Sequence, residues 1–121
     1  MMIRPMAAQD LSSFGLDTLG FTVRAIVAEE DGVPIAAAGV IHTEPPYAFA
    51  HIEEPMRKYP KRIMRVIKDF DIFLQSNYDV VYAVADVGEK NAPKVLEKVG
   101  FEYHQTNAQG DVYRWHKQQY H

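Results

Sequence analysis

His51 and Glu53 stand two residues apart in an alternating stretch, so both side chains leave the backbone on one face of a strand. Either could serve as a general base that takes a proton from an attacking nucleophile. Glu54 follows directly and offers a second carboxylate. A His-x-Glu pair also suits zinc, but no third ligand accompanies it, and the plain alternative is an exposed polar strand end. A basic stretch comes next: Met56-Arg57-Lys58-Tyr59-Pro60-Lys61-Arg62. With Arg65 and Lys68 it puts six of the 13 Lys and Arg residues within twelve positions. Such a cluster can hold phosphate groups, coat a solvated helix face, or touch nucleic acid or an acidic partner. Tyr59 is the one aromatic residue among these cations, too few for a single-strand stacking platform. His42, His104, His116 and His121 are scattered and read as structural or exposed.

The whole chain has 121 residues, a formal charge of −3, 47% hydrophobic residues and no cysteine. One domain spanning 1–121 is the natural reading at this length. Thiolate chemistry, disulfides and Cys-ligated zinc are excluded outright. The start, Met1-Met2-Ile3-Arg4-Pro5-Met6, lacks the apolar run of ~7–15 residues that a signal peptide needs. The longest nearly apolar run, Val33 to Ile41, is far short of the ~20 residues of a membrane span. A cytoplasmic location is the expectation, and the mild acidity gives nucleic acid no general attraction.

The elements that must position these residues can be read from periodicity. Ile3-Arg4-Pro5 is a short strand, and Ala7 to Asp17 has a weak helical pattern. Phe21 to Glu30 alternates and is rich in β-branched residues; Asp31-Gly32 is a hairpin turn, with Val33 to Thr43 returning. The small residues Ala36 to Gly39 predict a close neighbour. Tyr47 to Glu54 is a third alternating strand. Pro60 opens a helix to Asn77, because Ile63, Val66, Ile67, Phe70, Phe73 and Leu74 form one apolar stripe. Val80 to Ala85 reads as a buried strand, Lys90 to Val99 as a helix stopped by Gly100, and Phe101 to Gln105 with Val112 to Lys117 as a final hairpin. In that hairpin Tyr103, Tyr113 and Trp115 alternate and are expected on the packed face. The order β-α-β-β-β-α-β-α-β-β predicts an α+β fold with a mixed central sheet of about six to seven strands and helices on both faces.

That order, with its residues, resembles the GNAT family of acetyl-CoA-dependent N-acetyltransferases. Ile3-Arg4-Pro5 with Asp10-Leu11 resembles the opening strand and helix, and Val27 to Gly39 the first hairpin. Arg57 to Leu74 sits where the cofactor loop and its helix belong. Leu96-Glu97-Lys98-Val99-Gly100-Phe101 is similar to the late helix-stop-strand signature. The resemblance implies two parallel strands that splay apart, with pantetheine of acetyl-CoA or CoA pairing along the gap as an added strand would. It implies that Met56, Arg57, Lys58, Tyr59, Lys61, Arg62 and Asn91 contact the cofactor, its pyrophosphate resting at the helix start. Glu53 or Glu54, with His51 in reserve, would deprotonate a small-molecule or protein amine.

The chain departs from the family at three places. The cofactor loop carries glycines in the family; here Pro60 and Arg62, or in the other register Lys61 and Ile63, occupy those positions, leaving side-chain charge to substitute. Leu96 falls where the family's proton-donating tyrosine lies, with Tyr59, Tyr82 or Tyr103 as replacements from elsewhere. The frequent asparagine falls on Glu89; Asn91 is two positions on, a rotation of about 200° on a helix. Only about 16 residues join the first two strands, which implies a shallow acceptor pocket or one completed by a second copy in a homodimer. Lys61-Arg62, Tyr78-Asp79 and Val87-Gly88 also resemble internal virion proteins of short-tailed phages that keep the GNAT fold. Two readings follow: an N-acetyltransferase, or a GNAT-fold structural or interaction protein without turnover, which if phage-encoded would be located in a virion. A nucleic-acid contact through the basic helix is a third, less favoured.

Overall fold

A computed structural model describes residues 1–18, 20–53, 57–85 and 92–118. Seven strands and three helices follow in the expected order: β1 (Met2–Pro5), α1 (Ala8–Ser13), β2 (Val23–Glu30), β3 (Val33–Ile41), β4 (Tyr47–Ile52), α2 (Pro60–Asn77), β5 (Val80–Ala85), α3 (Ala92–Val99), β6 (Glu102–Asn107) and β7 (Gly110–His116). They form one sheet in the order β1-β2-β3-β4-β5-β7-β6. All neighbours are antiparallel except β4 and β5, which run parallel across the α2 connection.

Local chemistry sets the hairpins. Asp31 and Gly32 both take positive φ (52° and 79°), the combination a two-residue turn of the right twist requires. The run of small residues has its reason at Gly39, opposite Ala25. A Cβ built there would lie 2.3 Å from the Ala25 Cβ and 2.4 Å from the Arg24 carbonyl oxygen, so only glycine fits.

The sheet is covered on both faces. On one, α2 and α3 press Ile67, Phe70, Leu74 and Val99 onto Ala38, Val40, Val81, Ala83, Phe101, Tyr113 and Trp115. Each large apolar side chain buried there contributes roughly 1.5–3 kcal/mol by leaving water. On the other face, Ala25, Val27 and Ala37 are buried, and Asp10 of α1 is tied to Arg4 and Phe14 to His51.

Some boundaries and one packing expectation need correction. The first helix is six residues, not the Ala7–Asp17 pattern, because Gly15 turns into the left-handed region (φ 69°) and its N–H bonds the Ser12 carbonyl. The described part of β4 ends at Ile52, β2 begins at Val23 rather than Phe21, and β3 closes at Ile41 rather than Thr43. Residues Lys90 and Asn91, expected to open the third helix, lie outside the described residues. Tyr113 and Trp115 are buried as expected, but Tyr103 is 58% exposed. It stands on the edge strand β6, all six residues of which are exposed, with no further strand among the described residues to cover it.

Candidate functional site

Among the described residues, the one pair of parallel neighbours in the sheet forms its cleft. Among the described residues, β4 and β5 are paired at one position, Tyr47 with Tyr82. The Tyr82 N–H donates to the Pro46 carbonyl (3.0 Å), while the Glu53 N–H donates across to Ile35 on β3 (3.0 Å). Strand groups alternate in direction, so odd positions of β4 face β3 and even positions face β5. Ala48, Ala50 and Ile52 therefore turn their amide groups toward β5, and Val84 turns its own toward β4. Beyond the Tyr47–Tyr82 pair the two strands share no further ladder position among the described residues. The unpaired stretch lies on the carboxyl side of that pair in both strands, and α2 follows β4. This is the region that open sheets with parallel neighbours use for ligands.

The start of α2 gives the cleft a cationic rim. Tyr59 is its N-cap and no side chain caps the helix; Pro60 takes the first position, where its missing N–H costs least. Arg57, Lys58 and Lys61 are exposed there. Arg62 is held differently: its guanidinium pairs with Glu30 at the end of β2 and lies 4.6 Å over the Tyr59 ring. Lys61 lines a groove of about 470 Å³ between α2 and α3 with Met64, Arg65, Lys68, Asp71 and Lys98. The structure thus divides the basic cluster. Arg57 and Lys58 precede α2 and Lys61 lies in its first turn, Arg62 braces α2 on β2, and Arg65 donates to the Met1 carbonyl (3.0 Å).

The candidate base pair is formed. His51 Nε2 lies 3.0 Å from Glu53 Oε1, and both side chains are about half exposed. They sit on the α1 face of β4, beside Phe14, whose ring meets His51 edge-on at 5.5 Å. A proton taken by this pair can pass directly to water. Glu54, Met56 and Asn91, also expected in the site, lie outside the described residues, as do Glu89 and the Val87-Gly88 pair. Leu96 packs against the core cluster beneath α3, so that helix offers no proton donor at this position.

One feature of the site was not legible from residue order. On the α1 face the Tyr47 and Tyr82 rings lie 6.0 Å apart, and the His104 ring meets Tyr82 edge-on at 5.7 Å. Tyr82 sits in a continuous apolar run, Val80 to Ala85, whose faces cannot be told apart by alternation. His104 reaches the row because β6 slips register between Tyr103 and Gln105. Among the described residues no group of three His, Asp or Glu side chains is placed to hold a metal ion, and no helix is long and apolar enough to cross a membrane.

Comparison with known proteins adds the fold's relatives. No family model matches the chain, and no curated protein matches it. Solved structures do. An N-acetyltransferase from Staphylococcus aureus Mu50 superposes with a TM-score of 0.71 at 12% identity, covering 97% of this chain and 98% of that one. The smu.2055 protein from Streptococcus mutans UA159 gives 0.69 at 14% identity, over 98% and 100%. The ribosomal-protein-S18-alanine N-acetyltransferase from Escherichia coli gives 0.67 at 10% identity, over 99% and 96%. The chain therefore has the α+β fold of GNAT acetyltransferases over 97–99% of its length in these superpositions.

Proposed function

We propose that this chain is an acetyl-CoA-dependent N-acetyltransferase. The observation that carries the reading is the single Tyr47–Tyr82 pair, which leaves the β4 amides of Ala50 and Ile52 facing an open gap below a cationic rim. A pantetheine arm carries amide groups at strand-like spacing and can occupy such an edge as an added strand. The fit is good along the strands and altered at the rim. No glycine lets backbone approach phosphate, so Arg57, Lys58 and Lys61 would meet the pyrophosphate through side-chain charge beside the N-terminus of α2. Bound acetyl-CoA supplies an activated acetyl thioester. The chain's own task is then to hold an amine on the α1 face and take its proton at Glu53, with His51 hydrogen-bonded to it; Glu54 is the neighbouring alternative. Among the described residues one short helix, α1, lies over this face, which leaves room for a small amine or an extended peptide terminus.

Calorimetric titration with acetyl-CoA tests the reading. Micromolar binding that weakens at least tenfold in Lys61→Glu is expected. No heat at millimolar acetyl-CoA removes the reading and leaves the fold as a scaffold. Binding without thioester consumption over a panel of polyamines and peptide amines shows retained recognition without turnover.

A further inference from the structure

The helix α2 carries two stripes. Val66, Ile67, Phe70 and Leu74 are buried against the sheet. Lys61, Met64, Arg65 and Lys68 recur at spacings of three and four and stand exposed. With Lys98 from the last turn of α3, they line the groove of about 470 Å³ between the two helices. Four cations thus face one space, against a single carboxylate, Asp71. Among the described residues none of the four is ion-paired, whereas Arg4 and Arg62 each hold a carboxylate. This concentration occurs in a chain of formal charge −3. The groove is not purely polar, since Met64, 44% exposed, and the buried Ile67 also line it.

We propose that this groove docks an acidic amphipathic segment of a partner protein. An apolar side chain of that segment rests on Met64, and its carboxylates meet Lys61, Arg65, Lys68 and Lys98. The proposal stands whether or not the chain acetylates anything. Like charges gathered at one groove repel, and a carboxylate-bearing partner relieves that repulsion on binding. Exposed ion pairs are individually weak, so apolar contact must supply part of the affinity. An unbranched methionine adapts to aliphatic anchors of differing shape. From Lys61 to Asp71 the helix rises about 15 Å, roughly three turns of a facing helix. Nucleic acid fits less well: no aromatic ring lines the groove for a base to stack on, and Asp71 opposes phosphate. A second copy of this chain fits less well too, since α1 and α3 each carry one carboxylate and that of α1, Asp10, is buried. The pyrophosphate site proposed above shares only Lys61 with the groove.

The test uses the full chain and a fluorescein-labelled helical peptide with leucines at every third or fourth position flanked by glutamates. Fluorescence polarisation should show saturable binding at submillimolar chain. Replacing every glutamate by glutamine, or every leucine by alanine, should weaken it roughly tenfold. The double variant Lys68→Glu, Lys98→Glu should do the same, and Met64→Ala should weaken it severalfold. Amide chemical shifts should move in α2 and α3, and saturating CoA should leave the affinity unchanged. If the double variant fails to fold, the two altered peptides decide the matter on the wild type. No binding at millimolar concentration, equal affinity for either altered peptide, an indifferent double variant, or shifts elsewhere would each overturn the proposal. Displacement of the peptide by CoA would overturn it in favour of the coenzyme. Tighter binding of a single-stranded oligonucleotide of equal charge would overturn it in favour of nucleic acid, and self-association that the double variant abolishes, in favour of a second copy.

Discussion

Asp10 shows how one residue fixes the entrance to the fold. It is the single charged side chain among the buried described residues, 2% exposed. Arg4 donates to it twice (2.7 and 3.0 Å), the Ala7 N–H donates a third bond (2.7 Å), and the same arginine reaches Glu29 (3.0 Å). The Arg4 hydrogen bonds, followed by the Ala7 amide, hold the Asp10 carboxyl below its usual range against the opposing effect of burial. Its folded pKa is therefore lower than its unfolded one. The stabilisation is complete above the ordinary carboxylate range, near pH 4, and is lost as acid protonates the folded group. Asp10→Asn should cost about 3 kcal/mol at pH 7, since it leaves Arg4 half-paired beside a buried site. The difference in melting temperature between wild type and variant should shrink below about pH 4, as measured by calorimetry; a pH-independent difference would show that the charge is immaterial. The Asp10 network was half legible: Asp10-Leu11 after a first strand pointed to the fold, but the second partner of Arg4, Glu29, comes from a strand 25 positions on. Arg62 was misleading for the same reason, because its partner Glu30 is 32 residues away and only pairing of distant elements reveals that it is engaged.

At the scale of elements, local order was readable wherever a period was clean. The apolar stripe and Pro60 located α2 at Pro60–Asn77, and the run Val80–Ala85 located β5 to the residue. Ends governed by a single backbone turn, such as the early stop of α1 at Gly15, were not. Nor was the exposure of Tyr103, which depends on what lies beyond its strand. The cleft was expected from the resemblance alone; nothing in the composition of β4 or β5 says which of their amides lack a partner. Ala50 tests that geometry. Its N–H faces the gap, so replacement by proline removes no bond to β3, and the extended backbone around it tolerates the ring. Ala50→Pro should fold with little change in melting temperature. It should weaken acetyl-CoA binding about tenfold, the worth of one hydrogen bond. Unchanged affinity in calorimetry would show that the strand edge is not the coenzyme's partner.

For the whole molecule, the two outer edges of the sheet are blunted. β1 has four residues and ends in Pro5, and β6 is irregular between Tyr103 and Gln105. Short edges, prolines and bulges are the devices that discourage a second chain from continuing a sheet. A homodimer, if it forms, would have to use another face. Among the described residues, β4 between Tyr47 and Ile52 carries neither proline nor bulge on the edge that faces the cleft. The four strands β1 to β4 and the three strands β5 to β7 are stitched together by one rung, with α2 and α3 as backing. On the proposed reading, a coenzyme laid along this seam would add to the cohesion that α2 and α3 supply. In the empty protein the amide hydrogens of Ala50, Ile52 and Val84 should trade with deuterium quickly, while those of Tyr82 and Glu53, already bonded, should not. Saturating coenzyme should slow the first group and, at a hundredfold excess over its Kd, add about 2.7 kcal/mol against unfolding. The acyl donor would thus be mortar as well as reagent, and the chain would be sturdiest when its metabolic supply is fullest.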